Sequence, residues 1–162
     1  TGSQFCGLAM IETKANAEYI AEELDKRVTV DRALRIHWTG CPNSCGQVQA
    51  ADIGIMGGPA KKKNAEGKMK AVPGCQIFVG GTIGEHGALT LTPEITGIPL
   101  DPEDLLPTLT QIVVDHFGGE VKPEYVDAQQ EWREVVAAEK AAAEAEAAEK
   151  AAKKAAAAAA KV

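Results

Sequence analysis

No apolar run in this sequence approaches the roughly 18 residues that a helix needs to cross a bilayer, so no helical membrane span is expected. Nor is there a basic excess. The formal net charge is −6, and an acidic body lacks the basic face that broad nucleic-acid binding requires. The N-terminus shows neither the basic-then-apolar pattern of a secretory signal nor an Arg- and Ser-rich transit segment. It also lacks an initiator Met, so the expectation is a processed chain or a piece of a longer one. These residues therefore do not report the compartment. Cysteines are few, four in 162 residues, and without secretory context they favour metal or redox chemistry over a disulfide framework. The rest of the composition, 45% hydrophobic and 25% charged, is that of a globular chain with room for one domain and its core.

Charge and composition divide the chain. Residues 1–127 hold 11 Lys and Arg against 17 Asp and Glu, while residues 128–162 hold 6 of each. From Asp127 onward the sequence turns to Ala, Glu and Lys, with 16 alanines among residues 137–162. Alanine is the best helix former, and Glu146–Lys150 and Glu149–Lys153 are favourable i,i+4 pairs. The expected organisation is a folded part over residues 1–126 and a solvated helical tail over 127–162, which has almost nothing to bury.

Within the folded part, Gly7 to Arg27 reads as a helix with apolar stripes on two sides, Leu8, Ile11, Ala15 and Tyr19 on one and Met10, Ala17 and Leu24 on the other. Arg32–Trp38 alternates in the manner of a strand and runs into Thr39-Gly40-Cys41. Ala51–Gly58 and Gly74–Gly81 are two more short strands, predicted to pair antiparallel around the polar turn "PAKKKNAEGK". Leu100–Glu120 reads as a second helix, with Asp101 as N-cap, Pro102 at the first position and Gly118-Gly119 closing the end. Pro107 removes a hydrogen bond inside that helix and predicts a kink or a restart. The fold class is α+β: short, mostly antiparallel strands with flanking helices, plus the C-terminal Ala-rich helical tail.

The segment "TGCPNSCGQVQAADIG" (residues 39–54) carries the chemistry. Cys41 and Cys45 lie in a loop where Pro42 restricts the backbone, Asn43 tolerates a left-handed conformation, and Gly40 and Gly46 allow a tight curl. Such a loop brings two thiolates to one centre and aims backbone N–H groups at the sulfurs, as iron–sulfur sites do. Cys6, read at the mouth of the first helix, is a third soft ligand. A structural zinc site is the competing reading, with Cys75 or a histidine as fourth ligand, and the spacing alone leaves iron–sulfur and zinc level. Cys75 lies in an apolar strand, where a free buried thiol is the ordinary state. Four purely structural cysteines are the plainest alternative.

"TGSQFCG" and "HWTGCPNSCGQVQAADIGIMG" together closely resemble the C-terminal half of the sirohaem-containing ferredoxin–nitrite reductases, within the wider nitrite and sulfite reductase family. The family motif is C-x5-C followed, after thirty-odd residues, by C-x3-C. Here Cys6, a gap of 34 residues and Cys41-x3-Cys45 match all but the first cysteine. That cysteine is expected immediately before Thr1, as in a fragment cut inside the motif. Gln47, Val48 and Gln49 lean towards nitrite over sulfite reductase. The resemblance covers residues 1–120 and excludes the tail.

The resemblance implies that Cys6, Cys41 and Cys45 ligate a 4Fe-4S cluster. It implies that Cys45 is also the axial ligand of a sirohaem iron, with Asn43 and Gln47 as further contacts to the cofactors. The implied activity is the six-electron reduction of nitrite to ammonium, with reduced ferredoxin as donor, in a monomer without nucleic-acid or membrane partners. The location it implies is the plastid stroma, or the cytoplasm of a cyanobacterium. Sulfite reductase is the alternative within the family, and a zinc-stabilised binding module the alternative outside it. Anion reduction needs Arg and Lys over the haem face, and no basic cluster accompanies the Cys loop. Taken alone, the chain is expected neither to complete the cluster nor to turn over nitrite.

Other residues carry plainer readings. Lys61, Lys62, Lys63, Lys68 and Lys70 form a basic turn that is a solvated hairpin tip before it is a docking site for an acidic ferredoxin. His37 is an ordinary strand histidine before it is a proton relay. His86 in a Gly-rich turn and His116 near a helix C-terminus have no assigned role, and Trp38 is a core residue.

Overall fold

The computed structural model describes residues 1–159, with side chains through residue 153. In chain order the elements are α1 (Lys14–Arg27), β1 (Val28–Thr29), β2 (Ile36–Thr39), β3 (Ile53–Lys63), β4 (Met69–Val79), β5 (Ile95–Pro99), α2 (Pro102–Phe117), β6 (Glu120–Val121) and α3 (Val126–Ala159). Four strands form one sheet in the order β2-β3-β4-β5, and β1 pairs with β6 in a second, two-stranded sheet. Every pairing is antiparallel except β2 with β3, where Ile36 to Thr39 run beside Ile53 to Met56 in parallel. The α+β class with mostly antiparallel strands is thus the observed one. Contacts separate two compact units, Thr1–Pro123 and Glu124–Val162.

Alternation along the strands assigns the two faces of the four-stranded sheet. Ile53, Ile55, Cys75, Ile77 and Val79 join Ile20 and Leu24 of α1 and Leu105, Leu106, Leu109, Ile112 and Val113 of α2 in the main core. Each such side chain contributes about 1.5–3 kcal/mol on burial. The intervening positions Met56 and Phe78 face the other way and pack with Val48 in a smaller cluster. Val48 belongs to the connection between β2 and β3. A parallel pair cannot be closed by a tight hairpin and needs a crossover of about a dozen residues or more. Residues 40–52 are that crossover, and they hold both Cys41 and Cys45.

Several expectations are corrected. The first helix begins at Lys14, not Gly7, because residues 1–13 are folded into turns against other backbone. The Ser3 N–H donates to the Ile11 carbonyl (2.9 Å), and the Met10 N–H donates to the Gly40 carbonyl (2.7 Å). Leu8 and Met10, one from each expected stripe, are accordingly exposed instead of lying on a helix, and Tyr19 from the stripe of Leu8 is exposed as well. The Glu12 carboxylate accepts the N–H groups of Lys14 (3.1 Å) and Ala15 (2.8 Å) and so caps the helix. Burial works to raise its pKa, but these backbone donors hold it below the usual carboxylate value.

The strand expected over residues 32–38 covers Ile36–Thr39, since Arg32 and Arg35 are turned to an ion pair described below. Trp38 is half-buried and packs against the main core. The β3–β4 hairpin is antiparallel as expected but longer, reaching Lys63 and Met69. The lysine run therefore lies on a paired strand, and Asn64 makes the turn by accepting the N–H groups of Glu66 (3.1 Å) and Lys68 (2.9 Å) through its side chain. Asp101 stands at the N-cap of α2 without a side-chain capping bond. The helix runs unbroken through Pro107. The carbonyl that this proline leaves without its usual partner belongs to Glu103, an exposed residue of the first turn. Gly118 ends the helix at φ 65°, in the left-handed region. The tail is helical as far as it is described, but not wholly exposed: Gln129 is buried and Trp132 and Arg133 are half-buried, while residues 134–153 are exposed. The expectation for Ala160 to Val162 lies outside the described residues.

Candidate functional site

Three consecutive turns compact the crossover. The Ser44 N–H donates to the Cys41 carbonyl (3.1 Å), the Gln47 N–H to that of Ser44 (2.8 Å), and the Ala50 N–H to that of Gln47 (3.1 Å). The first two turns each end in a left-handed residue that is not glycine, Ser44 at φ 53° and Gln47 at φ 51°. Each such residue costs about 1–2 kcal/mol, and conformations of this kind concentrate at functional sites. Asn43, whose side chain would tolerate a left-handed backbone, is not one of them. It occupies the third position of the first turn behind Pro42, and the reversal falls on Ser44 instead. Because the turns use Ser44, Gln47 and Ala50 as donors, the N–H groups of Asn43, Cys45 and Gly46 stay outside the turn hydrogen bonds.

The loop lies flat against the sheet, which two glycines make possible. A Cβ on Gly46 would collide with the Trp38 carbonyl, and one on Gly54 with the Val48 carbonyl. The Ser44 hydroxyl donates to Gln49 Oε1 (2.6 Å) within the loop. His37 Nδ1 reaches the Gln47 carbonyl from β2 (3.1 Å). A shallow groove of about 350 Å³ borders the loop, lined by Thr13, Lys14, Ala17, Ile36, His37, Trp38 and Gly46.

All four thiols are free. Cys41 is buried and Cys45 exposed, with Asn43 and Gln47 also exposed beside it. Cys6 is half-buried and lies eight residues ahead of α1, not at its mouth. Its N–H donates to the Gly2 carbonyl (3.1 Å) and its own carbonyl accepts the Ala9 N–H (3.2 Å). The Met10–Gly40 bond sets this turn against the residue that precedes Cys41. Ala9 also sits against Gly40, where a Cβ would meet its side chain. The Cys6 segment and the C-x3-C loop are therefore neighbours.

Among the described residues, no group of three or more His, Cys, Asp or Glu is gathered to hold a single metal ion. Cys75 is not brought to the loop. It belongs to the helix-side core, and burial pushes its thiol up to about 12, so the fourth zinc ligand has no source there. Its ionisation would favour unfolding as pH rises from the ordinary thiol range through that value. An alkylating reagent at pH 8 is expected to leave Cys75 unlabelled until denaturant is added, as read by mass spectrometry.

One anchor of the site escaped the sequence reading. Asp52, at the end of the crossover, is almost completely buried, 3% exposed. Its carboxylate accepts Arg32 Nη2 (2.9 Å), the Arg35 N–H (2.8 Å) and Arg35 Nε (3.2 Å). Its carbonyl accepts the Gly80 N–H (2.9 Å). Burial raises its pKa, but the Arg32 and Arg35 donors outweigh that and hold it below the usual carboxylate range. A lone acid after "QAA", with two arginines upstream, was the available signal.

The lysine run is partly neutralised within the fold: Lys62 Nζ bonds Asp101 (2.8 Å) and Asp104 (2.6 Å), and Lys68 lies 3.7 Å from Glu66. His116 Nε2 is 3.2 Å from Glu94 Oε1, a contact within the folded unit.

Comparison with known proteins finds relatives of this chain. The chloroplastic ferredoxin–nitrite reductase of Zea mays is 48% identical over 118 residues, 73% of this chain and 20% of that protein. The ferredoxin–nitrite reductase of Leptolyngbya laminosa is 45% identical over 122 residues, 75% of this chain and 22% of that protein. A chloroplastic ferredoxin–nitrite reductase sequence of Pinus sylvestris is 42% identical over 105 residues, 65% of this chain and 93% of that sequence. The chain thus spans about a fifth of the length of the maize and Leptolyngbya relatives. The solved structure of the Mycobacterium tuberculosis NirA protein superposes with a TM-score of 0.58 at 25% identity, over 72% of this chain and 21% of that one. The family model for the nitrite and sulphite reductase 4Fe-4S domain matches residues 1–143, and this chain belongs to that family.

Proposed function

We propose that residues 1–126 are the cluster- and sirohaem-bearing part of an assimilatory ferredoxin-dependent nitrite reductase, with residues 127–162 a helical appendage that carries no chemistry. The observation that carries this reading is the double-turn loop, which presents Cys41 and Cys45 beside the Cys6 turn. The relatives' names favour nitrite as substrate and ferredoxin as donor over the sulfite alternative. Relatives occur both in chloroplasts and in cyanobacteria, which favours a plastid stroma or a cyanobacterial cytoplasm as the location.

The donor set fits the cofactors as far as this chain supplies it. Cys6, Cys41 and Cys45 would hold three corners of the 4Fe-4S cluster, as free, soft thiols on backbone that is already turned. Cys45, exposed where Cys41 is buried, is the one placed to be shared with a sirohaem iron. When bound, the coupled pair supplies single-electron transfer to a substrate that needs six electrons. This chain's own part is to ligate and orient. The left-handed residues fix the path around the sulfurs, and the N–H groups of Asn43, Cys45 and Gly46 are free of the turns to stabilise thiolate charge. Asn43 and Gln47, exposed on either side of Cys45, are the residues we assign to cofactor contact.

The test is composition and turnover of the intact protein. Iron, acid-labile sulfide and a sirohaem absorption spectrum are expected, with nitrite reduced by reduced ferredoxin faster than sulfite. Zinc without sulfide would sink the reading, and preferential sulfite turnover would replace the substrate.

A further inference from the structure

His37 stands on β2 opposite Gly54, on the sheet face away from the helices, since its neighbours Ile36 and Trp38 are the ones packed against the main core. Its Nδ1 lies 3.1 Å from the Gln47 carbonyl oxygen. A carbonyl only accepts, so Nδ1 carries the proton and donates. Gln47 is a position that needs holding. It keeps φ at 51° without being glycine, and a residue in that region persists only where its surroundings impose it. The turn that Gln47 closes begins at the Ser44 carbonyl and has Cys45 as its second residue. Contacts on the other side are backbone and small: Gly46 lies against the Trp38 carbonyl, with no room for a Cβ.

We infer that His37 is a positioning residue for Cys45: by donating to the Gln47 carbonyl it keeps the Ser44–Gln47 turn closed, and so sets where the Cys45 sulfur is presented. The inference rests on the reading of Cys45 as a cluster ligand. It differs from a proton relay, because the ring nitrogen nearest the loop is already committed to Gln47. Partners hydrogen-bonded directly to a ligand are worth about 10–100-fold in metal affinity; His37 acts through the backbone two residues away, which sets its expected effect at the lower end of that range.

The experiment uses the intact holoprotein with three substitutions. His37→Asn places an amide N–H near the Nδ1 position, His37→Gln carries its amide one methylene farther, and His37→Leu offers no donor. The rate of iron loss to a chelator and the paramagnetic spectrum of the reduced cluster are read for each, with circular dichroism as the check on folding. Iron loss from His37→Asn is expected to stay near the wild-type rate with an unchanged spectrum, while His37→Gln and His37→Leu lose iron about tenfold faster and shift the spectrum. If the leucine variant does not fold, the asparagine and glutamine variants decide the matter between them. Wild-type behaviour in His37→Gln overturns the inference. So does an asparagine variant that fails as badly as the others, which would reduce His37 to packing. A wild-type protein with no acid-labile sulfide would overturn the underlying reading as well, whereas a sulfide-bearing wild type with unaffected variants overturns this inference alone.

Discussion

Replacing Cys45 by serine in the intact protein is expected to abolish both the iron–sulfur and the tetrapyrrole signatures. Replacing Cys75 by serine is expected to leave both in place. The difference follows from position. Cys45 is exposed at the second residue of a strained turn, next to backbone donors outside the turn bonds. Cys75 is fully buried among Ile55, Ile77 and Leu105 on the helix face. Loss of a partner that merely orients a ligand costs about 10–100-fold in metal affinity, so loss of the ligand proposed to be shared is expected to cost more. Cys41→Ser and Cys6→Ser are expected to remove the cluster. Cys75→Ser instead places a hydroxyl in an apolar site and costs about 1–3 kcal/mol of stability. Iron and sulfide content, the absorption spectrum and urea unfolding separate the variants. A Cys45→Ser protein with full sirohaem and cluster would refute the ligand assignment.

Replacing Asp52 by asparagine is expected to be the most damaging polar substitution in the crossover. The carboxylate closes the crossover by accepting two arginine side chains and one backbone N–H. Hydrogen bonds to a charged group contribute about 1.5–3 kcal/mol, and both arginines are roughly half-exposed, which moderates the ionic part. A loss of about 2 kcal/mol, or about 4–8 °C in Tm, is the expected outcome. The pH dependence has a definite sign. A carboxyl whose folded pKa is lowered contributes stability that is present above its unfolded pKa of about 4 and is lost as pH falls through the folded value. The wild-type protein should therefore weaken on acidification in that window, and Asp52→Asn should flatten this part of the profile. Asp115→Asn, on an exposed helix position bonded only locally to Gln111, is the control and should stay within about 0.5 kcal/mol of wild type. Equal losses at both positions would show that the buried pair contributes nothing special.

The motif residues themselves were legible because their meaning is local. Cys41-Pro42-Asn43-Ser44-Cys45 announces a loop by its turn formers, whatever surrounds it. Asp101-Pro102 and Gly118 mark the ends of α2 for the same reason, with each residue's preference set by its own backbone. The hairpin of β3 and β4 was readable from two apolar runs around a polar stretch, although its length was not. Lys61 to Lys63 look like a turn until Asp101 and Asp104 are seen to pair with Lys62 across the fold. Side-chain tolerance points to Asn43 as the left-handed residue, whereas the structure puts the reversal on Ser44. The turn bonds decide which residue reverses the chain.

What the amino-acid order determined alone, then, was the set of thiols on offer, the loop that carries two of them, the α+β balance and the helical tail. Tertiary structure decided the rest. It paired β2 parallel to β3, so that the cysteine loop is a crossover pressed on the sheet. It held Cys6 in a turn against Gly40 and started α1 only at Lys14, and it buried Cys75 away from the loop while fastening Asp52, at the end of the loop, to Arg32 and Arg35. These outcomes depend on hydrogen-bond and packing partners far apart in the chain, Met10 with Gly40 and Arg32 with Asp52 among them. A residue's own propensities do not encode which distant backbone group will meet it.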